Sequence, residues 1–141
     1  MIGIKTTTLL ALSALAFTAA VSLRAEDRMR AGLWEITSTV DGKPAGPSHN
    51  TCYTPAMVAL GNSSAKTLRE DSEKQSIKSG CTLKDFKMDG TTISMTQVCG
   101  ARTLVMSSTY GLDAFETVAT TTQAGVSKVV RMKGRWIGDC K

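Results

Sequence analysis

The sequence predicts a mainly β fold, either an antiparallel β-sandwich or an open barrel of about seven strands with one short helical segment. Apolar and polar residues alternate in several short runs. Turns containing Gly and Asp separate these runs at roughly 10-residue spacing, as in all-β domains. Threonine is dense in the run 114–123 (AFETVATTTQ), which favours strand over helix. A chain of 141 residues is enough for one such domain and not for two.

Residues 1–25 are predicted to be a secretory signal peptide, and residues 26–141 a single domain. Lys5 supplies a positive start, the apolar run LLALSALAFTAAV follows, and cleavage is expected after Ser22 or after Ala25. The apolar run has 13 residues, whereas a membrane-spanning helix needs about 20. No membrane span is therefore expected after cleavage.

The charge of the chain gives no reason to expect a nucleic-acid partner. Its formal charge is +5, and loss of Lys5 and Arg24 with the signal peptide lowers this by two. The lysines are scattered along the chain and form no basic stripe.

The first strand is predicted over 30–40 (RAGLWEITSTV). Its apolar face alternates with polar residues and consists of Trp34, Ile36, Ser38 and Val40. Trp34 is expected to anchor the core because an aromatic side chain buries a large apolar area. Asp41-Gly42 predicts a turn, and the following KPAGP a loop, since Pro44 and Pro47 cannot sit inside a ladder.

A second short strand is predicted over 48–53, followed by a helix. Thr54 can cap this helix and Pro55 suits its first position, so residues 56–60 are expected to be helical up to Gly61-Asn62. The segment 63–79 is polar and its large aliphatic residues are Leu68 and Ile77. Without a wider apolar stripe, it is predicted to be a solvated helix or a mobile loop with partial order.

The stretch from Cys81 to Cys99 predicts a β-hairpin, because Asp89-Gly90 lies between two strand-like runs. A two-residue turn at Asp89-Gly90 would place Phe86 opposite Ile93. Cys99 would then point away from Cys81, since side chains alternate between the faces. A Cys81–Cys99 bond therefore needs one extra residue, from a three-residue turn or from a bulge between Ile93 and Cys99.

Three further strands are predicted over 102–110, 114–123 and 126–137. In the last of them, Val130, Met132 and Trp136 mark one face, and Gly134 predicts a bulge or a close approach of another group to the backbone. The same strand carries charged residues that are expected to keep it soluble: Lys128, Arg131, Lys133 and Arg135.

The four cysteines predict two disulfide bonds in an oxidising compartment. Of the three pairings, the nested one is preferred, which joins Cys81 to Cys99 and Cys52 to Cys140. The spacings of 29, 18 and 41 residues lack the close pairs of a zinc site, and the chain has one histidine. No metal and no other cofactor is therefore predicted.

The sequence offers few candidates for catalysis, and no catalytic residue is predicted. His49 would need an oriented nucleophile and a carboxylate to act as a general base, and the chain has no Gly-x-Ser-x-Gly elbow. Glu35 is either a buried acid or, as is more usual, a solvated residue paired with an arginine. Glu116 would form a carboxylate pair with Glu35 only if the fold brought them together.

Several stretches together resemble the DUF3617 family of small exported bacterial proteins, which occurs mainly in proteobacteria. They are GLWEIT at 32–37, CYTP at 52–55, the 18-residue separation of Cys81 and Cys99, and MKGRWIGDC at 132–140. The resemblance spans about residues 29–141. One departure is Ala56, where many members carry an acidic residue. The resemblance implies a periplasmic, β-rich domain and implies no catalytic residues.

From these observations the expected function is that of an exported, non-catalytic binding or accessory domain for an apolar small molecule or a protein partner. A barrel mouth or cleft would be the binding site. The alternative is a carboxylate-dependent hydrolase that uses Glu35.

Overall fold

The computed structural model describes residues 27–141, which form one open antiparallel sheet and two helices. The mainly β class is confirmed, and the sheet is not closed into a barrel. The predicted signal peptide, residues 1–25, and both of its expected cleavage sites lie outside the described residues. Over residues 27–141 no helix has the length and apolar character needed to cross a membrane. The elements are β1 (Gly32–Val40), β2 (Lys43–Pro44), β3 (His49–Tyr53), α1 (Pro55–Gly61), α2 (Ala65–Lys78), β4 (Thr82–Asp89), β5 (Thr92–Cys99), β6 (Arg102–Gly111), β7 (Ala114–Gln123) and β8 (Val126–Gly138).

The sheet is a meander from β4 to β8 that is completed by the N-terminal strands. Its order is β2-β1-β8-β7-β6-β5-β4, and β3 pairs with β1 on the same side as β2. The short strand β2 corrects the prediction that 43–47 is entirely loop: Pro44 pairs with Thr39. This is allowed because β2 lies at an edge of the sheet, where the missing N–H of a proline need not be paired.

The alternation of side chains gives the sheet two different faces. The core face carries Trp34, Ile36, Phe115 and Ile93, which are all buried. The other face, called here the charged face, carries the intervening residues of the central strands, among them Glu35, Glu116, Arg131, Lys133 and Arg135.

The core is built around Trp34, which is fully buried as predicted. Its ring lies 5.6 Å from the ring of Phe115 and 6.2 Å from that of Tyr53, measured between centroids. Its indole N–H donates to the carbonyl of Arg30 at 3.1 Å, so the buried polar atom is paired. Burial raises the pKa of Tyr53 above 10.0, and the nearby hydroxyl of Tyr110 raises it further.

The β4–β5 hairpin contains the extra residue that a Cys81–Cys99 bond requires, but in the first strand. Asp89 pairs with Thr92, so the two-residue turn is Gly90-Thr91 and not Asp89-Gly90. The register then shifts between Leu83 and Asp85, where a bulge adds one residue to β4. The prediction of a bulge in the second strand was therefore wrong. Because the turn lies one residue later than predicted, a bulge in β4 is what brings Cys81 opposite Cys99, and it falls on an edge strand, where bulges are frequent.

The polar segment after α1 forms a helix, α2, which is the first of the two predicted alternatives, and it is ordered over its whole length. Ser64 caps it, accepting a hydrogen bond from the N–H of Thr67 at 3.2 Å. Ser76 is 2% exposed, and its hydroxyl accepts a hydrogen bond from the Gln97 side chain at 2.8 Å. Tertiary contacts of this kind stabilise the helix although it lacks an apolar stripe.

Two disulfide bonds join the elements, Cys81–Cys99 and Cys52–Cys140. They are the two bonds of the nested pairing. Cys81–Cys99 links the start of β4 to the end of β5, just after α2. Cys52–Cys140 links the edge strand β3 to the residues that follow β8, and it closes a separation of 88 residues.

Candidate functional site

A groove of about 760 Å³ lies on the charged face. This volume lies within the usual range of ligand sites, about 300–1,000 Å³. Within residues 27–141, its lining comes from β1, β6, β7 and β8, so a single sheet forms the floor. A groove of this shape is open above, and a molecule bound in it would remain partly in contact with water.

The floor is wide because small side chains lie on β6 and β7. Ala114 and Val118 supply apolar surface, and Ser107 and Thr109 supply hydroxyl groups. Thr109 also contacts the hydroxyl of Thr92 on the next strand at 3.1 Å. The floor therefore offers short side chains of mixed polarity, without a deep apolar pocket.

Three cations lie in a row on β8, of which Lys133 and Arg135 line the groove and Arg131 lies next to it. Arg131, Lys133 and Arg135 alternate with Met132 and Gly134, so they project from the same face of the strand. β8 lies between β1 and β7 in the sheet. The three cations are therefore flanked on both sides by strands that can carry carboxylates.

The flanking strands provide two glutamates, and each pairs with an arginine. Arg135 donates to Glu35 on β1 at 2.9 Å. Arg131 lies 3.5 Å from Glu116 on β7. Both pairs are partly exposed, so each stabilises the fold by about 0.2–1 kcal/mol.

Lys133, in the middle of the row, lies farther from a carboxylate than Arg131 or Arg135 does. Its ammonium lies 4.0 Å from the carboxylate of Glu116, which is beyond hydrogen-bond distance. Two cations, Lys133 and Arg135, line the groove with the two glutamates, and Arg131 beside the groove also pairs with Glu116. The cluster of three cations and two carboxylates therefore has one positive charge in excess. This excess charge is located at the lysine whose side chain is 66% exposed.

The structure brings Glu35 and Glu116 into the same groove but does not make them a carboxylate pair. β8 lies between their strands, so they are about 10 Å apart in the direction across the strands, and they are also offset by two residues along them. His49 lies on β3 opposite Ile36 and therefore on the core face, away from Glu35. The three residues weighed as catalytic candidates do not converge on one point.

Within residues 27–141, the cysteines and the other polar groups form no cluster suited to a metal ion. Cys52, Cys81, Cys99 and Cys140 are all in disulfide bonds. Among the residues that the structure describes, no group of three or more His, Cys, Asp or Glu side chains is arranged to hold a metal ion.

Sequence reasoning missed the role of Arg131, Lys133 and Arg135, which it assigned to solubility. Their spacing of two residues in a strand-like run was the available signal, because it places all three on one face. The sequence did not show that β8 would lie between β1 and β7. Because β8 lies between β1 and β7, Lys133 and Arg135 line a groove together with side chains of the neighbouring strands.

The model of the DUF3617 family, described as a protein of unknown function, matches residues 29–140. No curated protein and no solved structure matches the chain.

Proposed function

The chain belongs to the DUF3617 family, and on that premise we propose that it is an exported, non-catalytic accessory domain that binds an acidic segment of a protein partner in the charged groove. The observation that carries this proposal is Lys133, which lines the groove and whose exposed ammonium lies 4.0 Å from Glu116, a carboxylate that also pairs with Arg131. An acidic side chain of a partner would supply the missing counter-charge.

The shape of the groove favours an extended partner over a small apolar molecule at this site. Ligand pockets usually bury most of a small ligand's surface, whereas this groove is walled by one sheet. A peptide segment lying across the strands would use the small floor residues and the charged rim together. The interaction is exposed, so it is expected to be modest in affinity and sensitive to salt.

A labelled oligo(Glu-Ala) peptide tests the proposal by fluorescence anisotropy at low and high salt. Lys133→Met should weaken binding, while Glu35→Gln and Glu116→Gln should strengthen it because each removes a competing carboxylate. Lys128→Met is the matched control, since Lys128 is on the same strand but outside the groove. Equal effects of Lys133→Met and Lys128→Met, or equal binding of an oligo(Lys-Ala) peptide, would show that the groove is not the site.

The proposal includes export by the signal peptide at residues 1–25 to the periplasm. The two disulfide bonds support it, because such bonds persist in oxidising compartments. When the full chain is produced in a bacterium, the mass of the periplasmic protein should correspond to a start at Leu23 or Glu26. A chain that retains Met1 and stays in the cytoplasm would contradict the proposal.

We do not propose hydrolysis by Glu35. Its carboxylate accepts a hydrogen bond from Arg135, and its nearest candidate partner, Glu116, lies across β8 in a separate ion pair. Loss of a measurable hydrolytic activity in folded Glu35→Gln protein would reopen that function.

A further inference from the structure

The core face carries an apolar row that continues beyond the buried core. Six residues from six adjacent strands are paired in register along it: Phe86, Met95, Met106, Ala119, Val130 and Val40. All six side chains are half-buried, whereas Trp34 and Ile36 on the same face are buried. With strands about 4.8 Å apart, the row is about 24 Å long. It is long enough for one lipid acyl chain, which spans about half of a ~30 Å hydrocarbon core.

Helix α2 lies over one end of this apolar row, but its own sequence is mostly polar. α2 has Leu68 and Ile77 as its large aliphatic residues, and Ile77 is 70% exposed. The α2 residue that is buried is Ser76, near the C-terminal end. The N-terminal half of α2 therefore lies beside apolar sheet residues without an apolar stripe of its own to cover them.

Between this half of α2 and β4 lies a cleft of about 340 Å³. Phe86 and Met88 form its apolar side, and Lys66 and Arg69 of α2 line the other. Phe86 is also the first member of the apolar row. The apolar row therefore ends at the cleft that Lys66 and Arg69 line.

Lys66 and Arg69 are not placed where they would stabilise α2. Cations near a helix N-terminus are unfavourable, since the helix dipole is positive there. In α2, all of which is described, the first turn contains no acidic residue. Lys66 lies 3.9 Å from Glu70, beyond hydrogen-bond distance.

From the apolar row and the two cations at its end, we propose that the domain binds a fatty-acid anion, with the acyl chain along the row and the carboxylate at Lys66 and Arg69. The site is separate from the charged groove, because it is on the opposite face of the sheet. The charge at the cleft selects a carboxylate over a neutral or cationic head group, and the row selects a long chain.

Isothermal titration of the oxidised protein with monomeric dodecanoate tests this site. One chain should bind per protein, and dodecyltrimethylammonium, with an equally long chain and a cationic head, should bind at least about tenfold more weakly, equivalent to ~1.4 kcal/mol. Equal affinity for the two, or no binding of dodecanoate below micelle formation, would overturn the proposal.

Two pairs of variants locate the site. Lys66→Gln with Arg69→Gln should weaken dodecanoate binding about tenfold while leaving or raising the helix content, because both changes relieve repulsion from the helix dipole. Lys74→Gln with Lys78→Gln removes the same charge from α2 outside the cleft and should leave binding unchanged. Met106→Gln on the row should weaken binding, and Val105→Gln on the charged face should not. Loss of binding in both members of a pair would overturn the assignment.

Discussion

The ring of Phe115 packs directly on the backbone of Gly134, its cross-strand neighbour on β8. A Cβ added at Gly134 would lie 2.1 Å from Cε1 of Phe115, so no side chain fits there unless the ring moves. The ring also packs against Trp34 and Tyr110. Gly134 is therefore required by the packing of the core, and this close approach is what its position in a strand predicted.

Gly134→Ala should destabilise the domain by about 1–3 kcal/mol, because the added methyl group overpacks the core. Denaturant unfolding followed by tryptophan fluorescence measures this. Gly111→Ala is the control: its Cβ would lie 3.5 Å from the carbonyl of Ala114, an ordinary contact, and the change should remain within about 0.5 kcal/mol. In a Phe115→Ala background, Gly134→Ala should cost less, and strictly additive effects would contradict the steric explanation.

The two disulfide bonds should differ in their contribution to stability. In the chain-entropy model, closing a separation of 18 residues stabilises by about 3 kcal/mol and one of 88 by about 4.5 kcal/mol. Removal of Cys52 and Cys140 as Ala should therefore lower the free energy of unfolding more than removal of Cys81 and Cys99. Denaturant unfolding of the two double variants without reductant measures the difference. A larger loss for the Cys81/Cys99 variant would show that native packing outweighs loop entropy.

Local patterns in the sequence were sufficient to predict the strands of the core. Trp34 and Ile36 alternate with polar residues, and such alternation between two turns indicates a β-strand. The hairpin shows the limit of this reasoning. The count of residues between Cys81 and Cys99 requires one extra residue, but it does not say in which strand. That choice depends on β4 being an edge strand, which is a property of the whole sheet.

The parts that sequence reasoning did not predict depend on contacts between distant residues. α2 is held at its end by Ser76 and Gln97, and its start follows Asn62, whose side chain bonds to the backbone of Met29. The ion pair of the charged groove joins Glu35 and Arg135, which are 100 residues apart. Neither relationship leaves a periodic signal, so neither the extent of α2 nor the groove could be derived from local pattern.

Alkaline pH should destabilise the domain through Tyr53. Burial, and then the nearby Tyr110, raise the pKa of Tyr53 in the folded state above the ordinary value of 10.0. Above pH 10 the unfolded chain therefore releases a proton that the folded protein retains, so stability falls as the pH rises from 10 through the folded-state pKa. Below pH 10 the folded and unfolded states both keep the proton, so Tyr53 does not make the free energy of unfolding depend on pH in that range.

Thermal unfolding of wild type and Tyr53→Phe across this pH range, together with phenolate absorbance, checks the expectation. Tyr53→Phe should reduce the alkaline loss of melting temperature, because the variant has no proton to retain at this site. Tyr110→Phe should reduce it by less, since it removes the second cause of the raised pKa and leaves the burial of Tyr53 in place. If Tyr53→Phe and wild type lose stability in parallel above pH 10, the half-buried phenol of Tyr53 is not the source of the alkaline sensitivity.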